Sequence, residues 1–297
     1  MNEPWDFQKD EAYFRQLWCY RSPTHFQHTQ QLWDERADEW EDELQNDAVK
    51  SKSTQDRVDA TARYLRARGL LGPEDDVIDI GCGPGRFVAE FAKTCRSAVG
   101  ADLSGRMLEH GAAFAKSQGI TNTGYVRLDF NQADLDELGW RKRFDLVFTS
   151  ITPAVGGLDN LNRLIEMSRG FCFNSCFVSS QDELMSRFRK EELGLPPGDL
   201  FSSHWRWFYA LFNLLLLWGY LPEARYYDDP RREVLTASRE TARHLIDRAA
   251  VPEGMTAEQM TERMYRFLEK NADADGSVVR DSCCTYGWIL WDVHRRL

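Results

Sequence analysis

Through the first seventy residues, apolar side chains return at every third or fourth position. Between Gln30 and Leu44 they are Leu32, Trp33, Ala37, Trp40 and Leu44, set among acidic residues. That is the spacing of one face of a helix. A second helix is expected over Thr54–Arg68, stopped by Gly69, Gly72 and Pro73. At Val77 the period changes. Short β-branched and aromatic runs at 77–80, 98–103, 124–128, 144–150 and 171–179 alternate with helical stretches near 86–95, 105–118 and 158–169. Strand and helix alternating at this spacing predict βαβ units and a parallel sheet covered on both faces. After Ser180 the rhythm breaks into a helical insertion over 181–222, interrupted at Gly194, Pro196-Pro197-Gly198 and Gly219. A strand at 231–237, helices at 238–249 and 256–270, and a last strand near 283–292 complete the expected elements. The chain carries no internal repeat and no low-complexity tract.

The length of 297 residues suits one large domain or a core with a cap. Hydrophobic residues at 42% are enough for a sizeable core, which excludes a wholly disordered chain. Lys and Arg total 37 against 47 Asp and Glu, a net charge of −10. That balance argues against a general nucleic-acid or anionic-membrane binder. The seven cysteines lack disulfide-framework spacing, and the first residues carry no basic-then-apolar signal, so a cytoplasmic protein is expected. The longest apolar stretch, Trp207 to Leu221, has 15 residues. A bilayer crossing takes about 20, so no membrane span is expected.

The chemistry concentrates in VIDIGCGPGRF, residues 77–87. Glycines at 81, 83 and 85 follow a strand and precede a helix. Glycine lets the chain turn sharply and approach a ligand with no Cβ in the way. The helix behind it presents unpaired N–H groups. A dinucleotide fingerprint needs a third glycine where Arg86 stands, so that pattern fails.

With Asp79-Ile80-Gly81-Cys82-Gly83-Pro84-Gly85, the chain resembles the class I S-adenosylmethionine-dependent methyltransferases, of the small-molecule type. The resemblance covers residues 30 to about 180. It implies an α/β, Rossmann-like, seven-stranded and mostly parallel sheet whose last strand is antiparallel. It divides the chain into an N-terminal helical cap (1–70), a cofactor-binding core (71–180), a helical insertion or lid after the fifth strand (181–230) and a C-terminal completion of the sheet (231–297). The implied cofactor is S-adenosyl-L-methionine, with Asp79, Gly81, Cys82, Gly83 and Gly85 around it. Asp102, 23 residues after Asp79, stands where the family holds the ribose hydroxyls, with Leu103 and Met107 beside it. Asp129 and Phe130 stand where a side chain lies near the adenine amine, and Ser150 ends the strand that faces the methyl group. Physical chemistry supports these roles independently. A carboxylate accepts from two vicinal hydroxyls, and the carboxyl edge of an open parallel sheet is its binding crevice.

Methyl transfer from a sulfonium is an in-line displacement, for which the protein supplies alignment and desolvation. No residue is marked as a general base. Tyr20, His25 and His204 are the catalytic candidates, because their segments are expected to cap the crevice. Thr152, Pro153, Trp205 and Trp207 are the candidates for the acceptor pocket. The apolar segment 203–221 is read three ways: a lid with a substrate wall, a homodimer interface, or a membrane contact. The cysteines, without any C-x-x-C, are read as small buried hydrophobes, and no metal is expected. The expected function is methyl transfer to a small-molecule acceptor, with no nucleic-acid partner. A non-catalytic cofactor-binding or interaction module of the same fold is the alternative.

Overall fold

The computed structural model describes residues 7–19, 29–196, 205–247, 249 and 251–297. Among these residues the chain forms ten α-helices and seven strands. Three helices come first: α1 (Phe7–Cys19), α2 (Gln30–Asn46) and α3 (Ala48–Ala67). Asp47 closes α2 and caps α3, its carboxylate accepting from the Val49 and Lys50 amides at 2.9 Å. Strands and helices then alternate: β1 (Asp76–Ile80), α4 (Arg86–Ala92), β2 (Ser97–Asp102), α5 (Gly105–Ser117), β3 (Thr123–Arg127), β4 (Phe144–Ser150), α6 (Leu158–Met167) and β5 (Ser168–Asp182). The remaining elements are α7 (Glu183–Leu193), α8 (Trp205–Leu217), β6 (Glu223–Thr236), α9 (Arg239–Ile246), α10 (Ala257–Asn271) and β7 (Ser277–Asp292).

The strands make one sheet in the order β3-β2-β1-β4-β5-β7-β6. From β3 to β5 every pair is parallel. The Val293 amide donates to the Gly170 carbonyl, which sets the end of β7 beside the start of β5. The Ala237 amide donates to the Gly276 carbonyl, which sets the end of β6 beside the start of β7. The last strand is therefore antiparallel to both neighbours. The order reverses between β1 and β4, and such a reversal opens a crevice at the carboxyl ends of the strands.

The chain divides into two compact units, with divisions that fall within β5, β6 and β7 and at the start of α8. The first unit comprises Met1–Cys176, Trp205–Tyr227 and Gly287–Leu297. Its β1 is buried at all five positions, as a strand covered on both faces must be. Phe148 and Phe173 stack at 5.0 Å on neighbouring strands, and Phe91 of α4 meets Phe148 edge-on at 4.9 Å. Helix α8 sends Ala210, Leu211, Leu214 and Leu215 into the same core as Trp18 of α1. The second unit comprises Phe177–His204 and Asp228–Tyr286. Its core joins Phe188 of α7, Ile246 of α9, Phe267 of α10 and Val278 of β7.

Candidate functional site

The crevice at the carboxyl edge begins where β1 ends. Gly81, Gly83 and Gly85 all have left-handed backbone, with φ of 71°, 49° and 64°. The Gly81 and Cys82 amides both donate to the Ala101 carbonyl, which ties the turn to β2. The three glycines meet different needs. A Cβ on Gly81 would lie 1.9 Å from Thr152 Oγ1, and one on Gly85 would lie 3.0 Å from the Tyr125 ring. A Cβ on Gly83 would meet nothing within 4 Å, so only its backbone and whatever approaches it require glycine there.

Two carboxylates stand at this edge. Asp102, at the end of β2, accepts from the Gly83 amide at Oδ2 and from the Ser104 amide at Oδ1, each at 2.9 Å. Asp79 is 2% exposed, and its Oδ1 has no hydrogen-bond partner. Burial, reinforced by the negative charge of Asp102, pushes the Asp79 carboxyl well above the ordinary carboxylate range. Burial also pushes Asp102 up, against three backbone amides that pull it down. An uncompensated buried anion is costly and calls for a cation or a proton.

The remaining residues anticipated at the site fall into groups. Cys82 is buried against Gly100, where a Cβ would lie 2.7 Å from its sulfur. Met107 is buried, and its amide donates to the Ser104 hydroxyl at 3.1 Å. Leu103 is half-buried between Asp102 and Ser104. Asp129 accepts from the Asn131 amide and from the Asn131 and Gln132 side chains, while Phe130 is buried in the core. Ser150 ends β4 half-buried. Thr152 caps a short 3-10 turn that Pro153 opens, its hydroxyl accepting from the Ala154 amide. Trp205 is exposed at the start of α8, and Trp207 is half-buried against the core. Tyr20, His25 and His204 lie outside the described residues.

Three features escape a reading of local sequence. Ile151, between Ser150 and Thr152, has a φ of 51°, a strained value for a β-branched residue. Its amide is held by the Ser175 carbonyl at 2.8 Å. The Trp18 indole donates to the Gly157 carbonyl at 3.0 Å, tying α1 to the loop after β4. Arg86, the residue that spoils the dinucleotide pattern, donates from Nη2 to both carboxylate oxygens of Glu41 at 2.8 Å. Only partners distant in sequence reveal these roles. Among the described residues no three His, Cys, Asp or Glu side chains converge as metal ligands. Burial pushes the Cys172 and Cys176 thiols up to about 12. No helix of the described residues is long and apolar enough to cross a membrane.

Residues 77–167 match the family model described as a methyltransferase domain. The curated 23S rRNA (uracil(1939)-C(5))-methyltransferase RlmD of Vibrio cholerae is 26% identical over 151 residues, which are 46% of this chain and 33% of that protein. Its counterpart in Haemophilus parainfluenzae is 30% identical over 129 residues, 43% of this chain and 28% of that protein. The chain thus spans about a third of the length of these curated relatives. A putative methyltransferase from Bacillus halodurans, solved as a crystal structure, is 17% identical with a TM-score of 0.49, over 79% of this chain and 99% of that one. The expectation of a small-molecule acceptor and no nucleic-acid partner is overturned by the rRNA methyltransferases among these relatives. That expectation rests on the net charge of −10, and a chain-wide sum is blind to how charge is distributed locally.

Proposed function

We propose, from the match of residues 77–167 to a methyltransferase domain, that the chain is a class I S-adenosylmethionine-dependent methyltransferase and that it methylates a nucleic-acid acceptor, an RNA in the first instance. The observation that carries the cofactor reading is the buried carboxylate of Asp79, whose Oδ1 has no partner, beside a glycine turn whose middle glycine faces open space. S-adenosylmethionine carries positive charge on its sulfonium and ammonium groups beside one carboxylate, with a ribose diol, and the residues of this edge fit it. Asp79 offers the negative charge that such a ligand compensates. Asp102 has lone pairs to spare beyond its amide donors, and a carboxylate suits two neighbouring hydroxyls. The Gly83 position lets the backbone approach the ligand closely.

When bound, the cofactor supplies an activated methyl carbon, so the protein is left to align the acceptor and exclude water. Ser150, which ends β4, and Thr152 and Pro153, which follow it, lie on the other side of the switch point, and we assign them to the acceptor side of the crevice. The strained Ile151 fixes the direction in which this segment leaves the sheet. Support for the RNA acceptor comes from the names of the curated relatives.

The test is transfer of radiolabel from methyl-labelled cofactor to total RNA, with ribonuclease-treated and protein-only controls. The proposal expects cofactor binding at micromolar strength or tighter, no NAD binding, and ribonuclease-sensitive label. Cofactor binding without label in RNA overturns the acceptor. Failure to bind the cofactor overturns the whole reading.

A further inference from the structure

Helix α2 touches both turns assigned above to the cofactor, and at each it does so one or two residues from the proposed contact. At the glycine turn, Glu41 takes both hydrogen bonds from Arg86, the first residue after Gly85. The two side chains are only 14% and 12% exposed, and the guanidinium lies 3.7 Å from the centroid of the Phe114 ring on α5. At the end of β2, the Ser104 hydroxyl donates to Asp34 Oδ1 at 2.6 Å, while the Ser104 amide holds Asp102. The Arg106 guanidinium adds a bond to Asp38 at 2.9 Å, and His110 lies 2.8 Å from the same carboxylate. Gln30 at the start of α2 accepts from Arg127 at the end of β3. The acidic face of α2 is thus matched, residue by residue, to donors on the rim of the crevice.

We propose that α2 is a strap over the cofactor cleft, and that Glu41 and Asp34 are positioning residues that hold the glycine turn and the Ser104 cap in their ligand-binding geometry. The inference rests on the cofactor reading above and deepens it. A partly buried, charge-assisted pair is rigid and directional, whereas the exposed Asp38 contacts are screened and weak. Glu41 and Asp34 therefore carry the coupling. Arg86 fills the place of the third glycine in a dinucleotide turn because this fold uses that position to anchor the strap.

The experiment compares wild type, Glu41→Gln, Arg86→Met and Asp34→Asn by stopped-flow binding and chase of S-adenosylmethionine. Unfolding midpoints without ligand are measured in parallel. A strap retards escape more than arrival. Dissociation should speed up about tenfold in Glu41→Gln and Arg86→Met and somewhat less in Asp34→Asn, with association within about twofold of wild type. Cofactor should slow hydrogen exchange over 30–46 in wild type, and this protection should fade in Glu41→Gln while 97–102 stays protected. Folded variants that release the cofactor at the wild-type rate overturn the strap, as does protection of 30–46 that survives in them. A wild-type chain that ignores the cofactor removes the underlying reading instead, so the two failures are distinguishable.

Discussion

Strand β1 carries two aspartates three positions apart, Asp76 at its amino end and Asp79 at its carboxyl end, and the fold treats them in opposite ways. Both are almost fully buried. Asp76 accepts from Arg96 Nε at 2.9 Å and from the Ser97 hydroxyl at 2.6 Å, and it pairs with Arg143 and more loosely with Arg169. The Arg96 hydrogen bond leads these in holding its carboxyl far below the ordinary range. Asp79 has an orphaned oxygen, and burial holds it far above that range. The same residue type on the same strand is a satisfied structural anion at one edge and an uncompensated one at the other. The difference teaches where to look for a ligand. A fold that gathers arginines around one carboxylate and leaves its neighbour unpaired at a crevice has kept the second for something that arrives from outside.

The largest effect expected is on stability, at the satisfied end. Asp76→Ala should cost about 3 kcal/mol in urea unfolding, because arginines and a serine hydroxyl lose a buried acceptor. Cofactor affinity of the folded protein should change less than twofold. The pH dependence has a definite sign. A depressed carboxylate pKa contributes stability above the unfolded value that is lost as pH falls toward the folded one, so the gap between wild type and Asp76→Asn should hold above about pH 4 and narrow progressively below it.

The glycines sharpen the contrast. Gly81→Ala should lower stability by about 2 kcal/mol, from the contact with Thr152 and the left-handed φ. Gly83→Ala should cost only about 1 kcal/mol of stability, the left-handed penalty alone, because its Cβ meets open space. Yet Gly83→Ala should weaken cofactor binding at least as much as Gly81→Ala. Equal affinity of Gly83→Ala and wild type, read by calorimetry, would remove the glycine turn from the site. Asp102→Ala comes next, with cofactor binding weaker by about 1.5 kcal/mol, the scale of losing a charged acceptor.

Much of this was legible in the sequence, for reasons that are local. The run Val77-Ile78-Asp79-Ile80 ending in glycine can only be a buried strand entering a turn, and β1 to β4 lie within a residue or two of where periodicity sets them. The long outer strands were less legible. The expected 171–179 and 283–292 became β5 over Ser168–Asp182 and β7 over Ser277–Asp292. Most of their added residues are polar or charged, with Val278 and Val279 apolar exceptions, and Arg280 there pairs with Asp182 and Glu233 instead of entering a core. Likewise β6 starts at Glu223 although only 231–237 reads as a strand, since Pro230 and a run of charges suit the edge position it occupies. Within the site, Asp79 and the glycines announce themselves. The Glu41–Arg86 pair does not, because its partners are 45 residues apart and each alone looks like a solvated charge. The strain at Ile151 is equally invisible, as no residue type there predicts a positive φ.

Asp79→Asn separates a ligand-holding carboxylate from a structural one, followed in two readouts at once: S-adenosylmethionine affinity, and urea stability without ligand from pH 4 to pH 8. A carboxyl whose folded pKa is raised holds stability below its unfolded pKa and loses it as pH climbs through the folded one. The asparagine variant escapes that loss. It should match wild type in stability near pH 4, exceed it near pH 8, and bind the cofactor about fivefold more weakly, near 1 kcal/mol. Lower stability across the whole range with wild-type affinity would instead make Asp79 a structural carboxylate like Asp76, with no part in holding the cofactor.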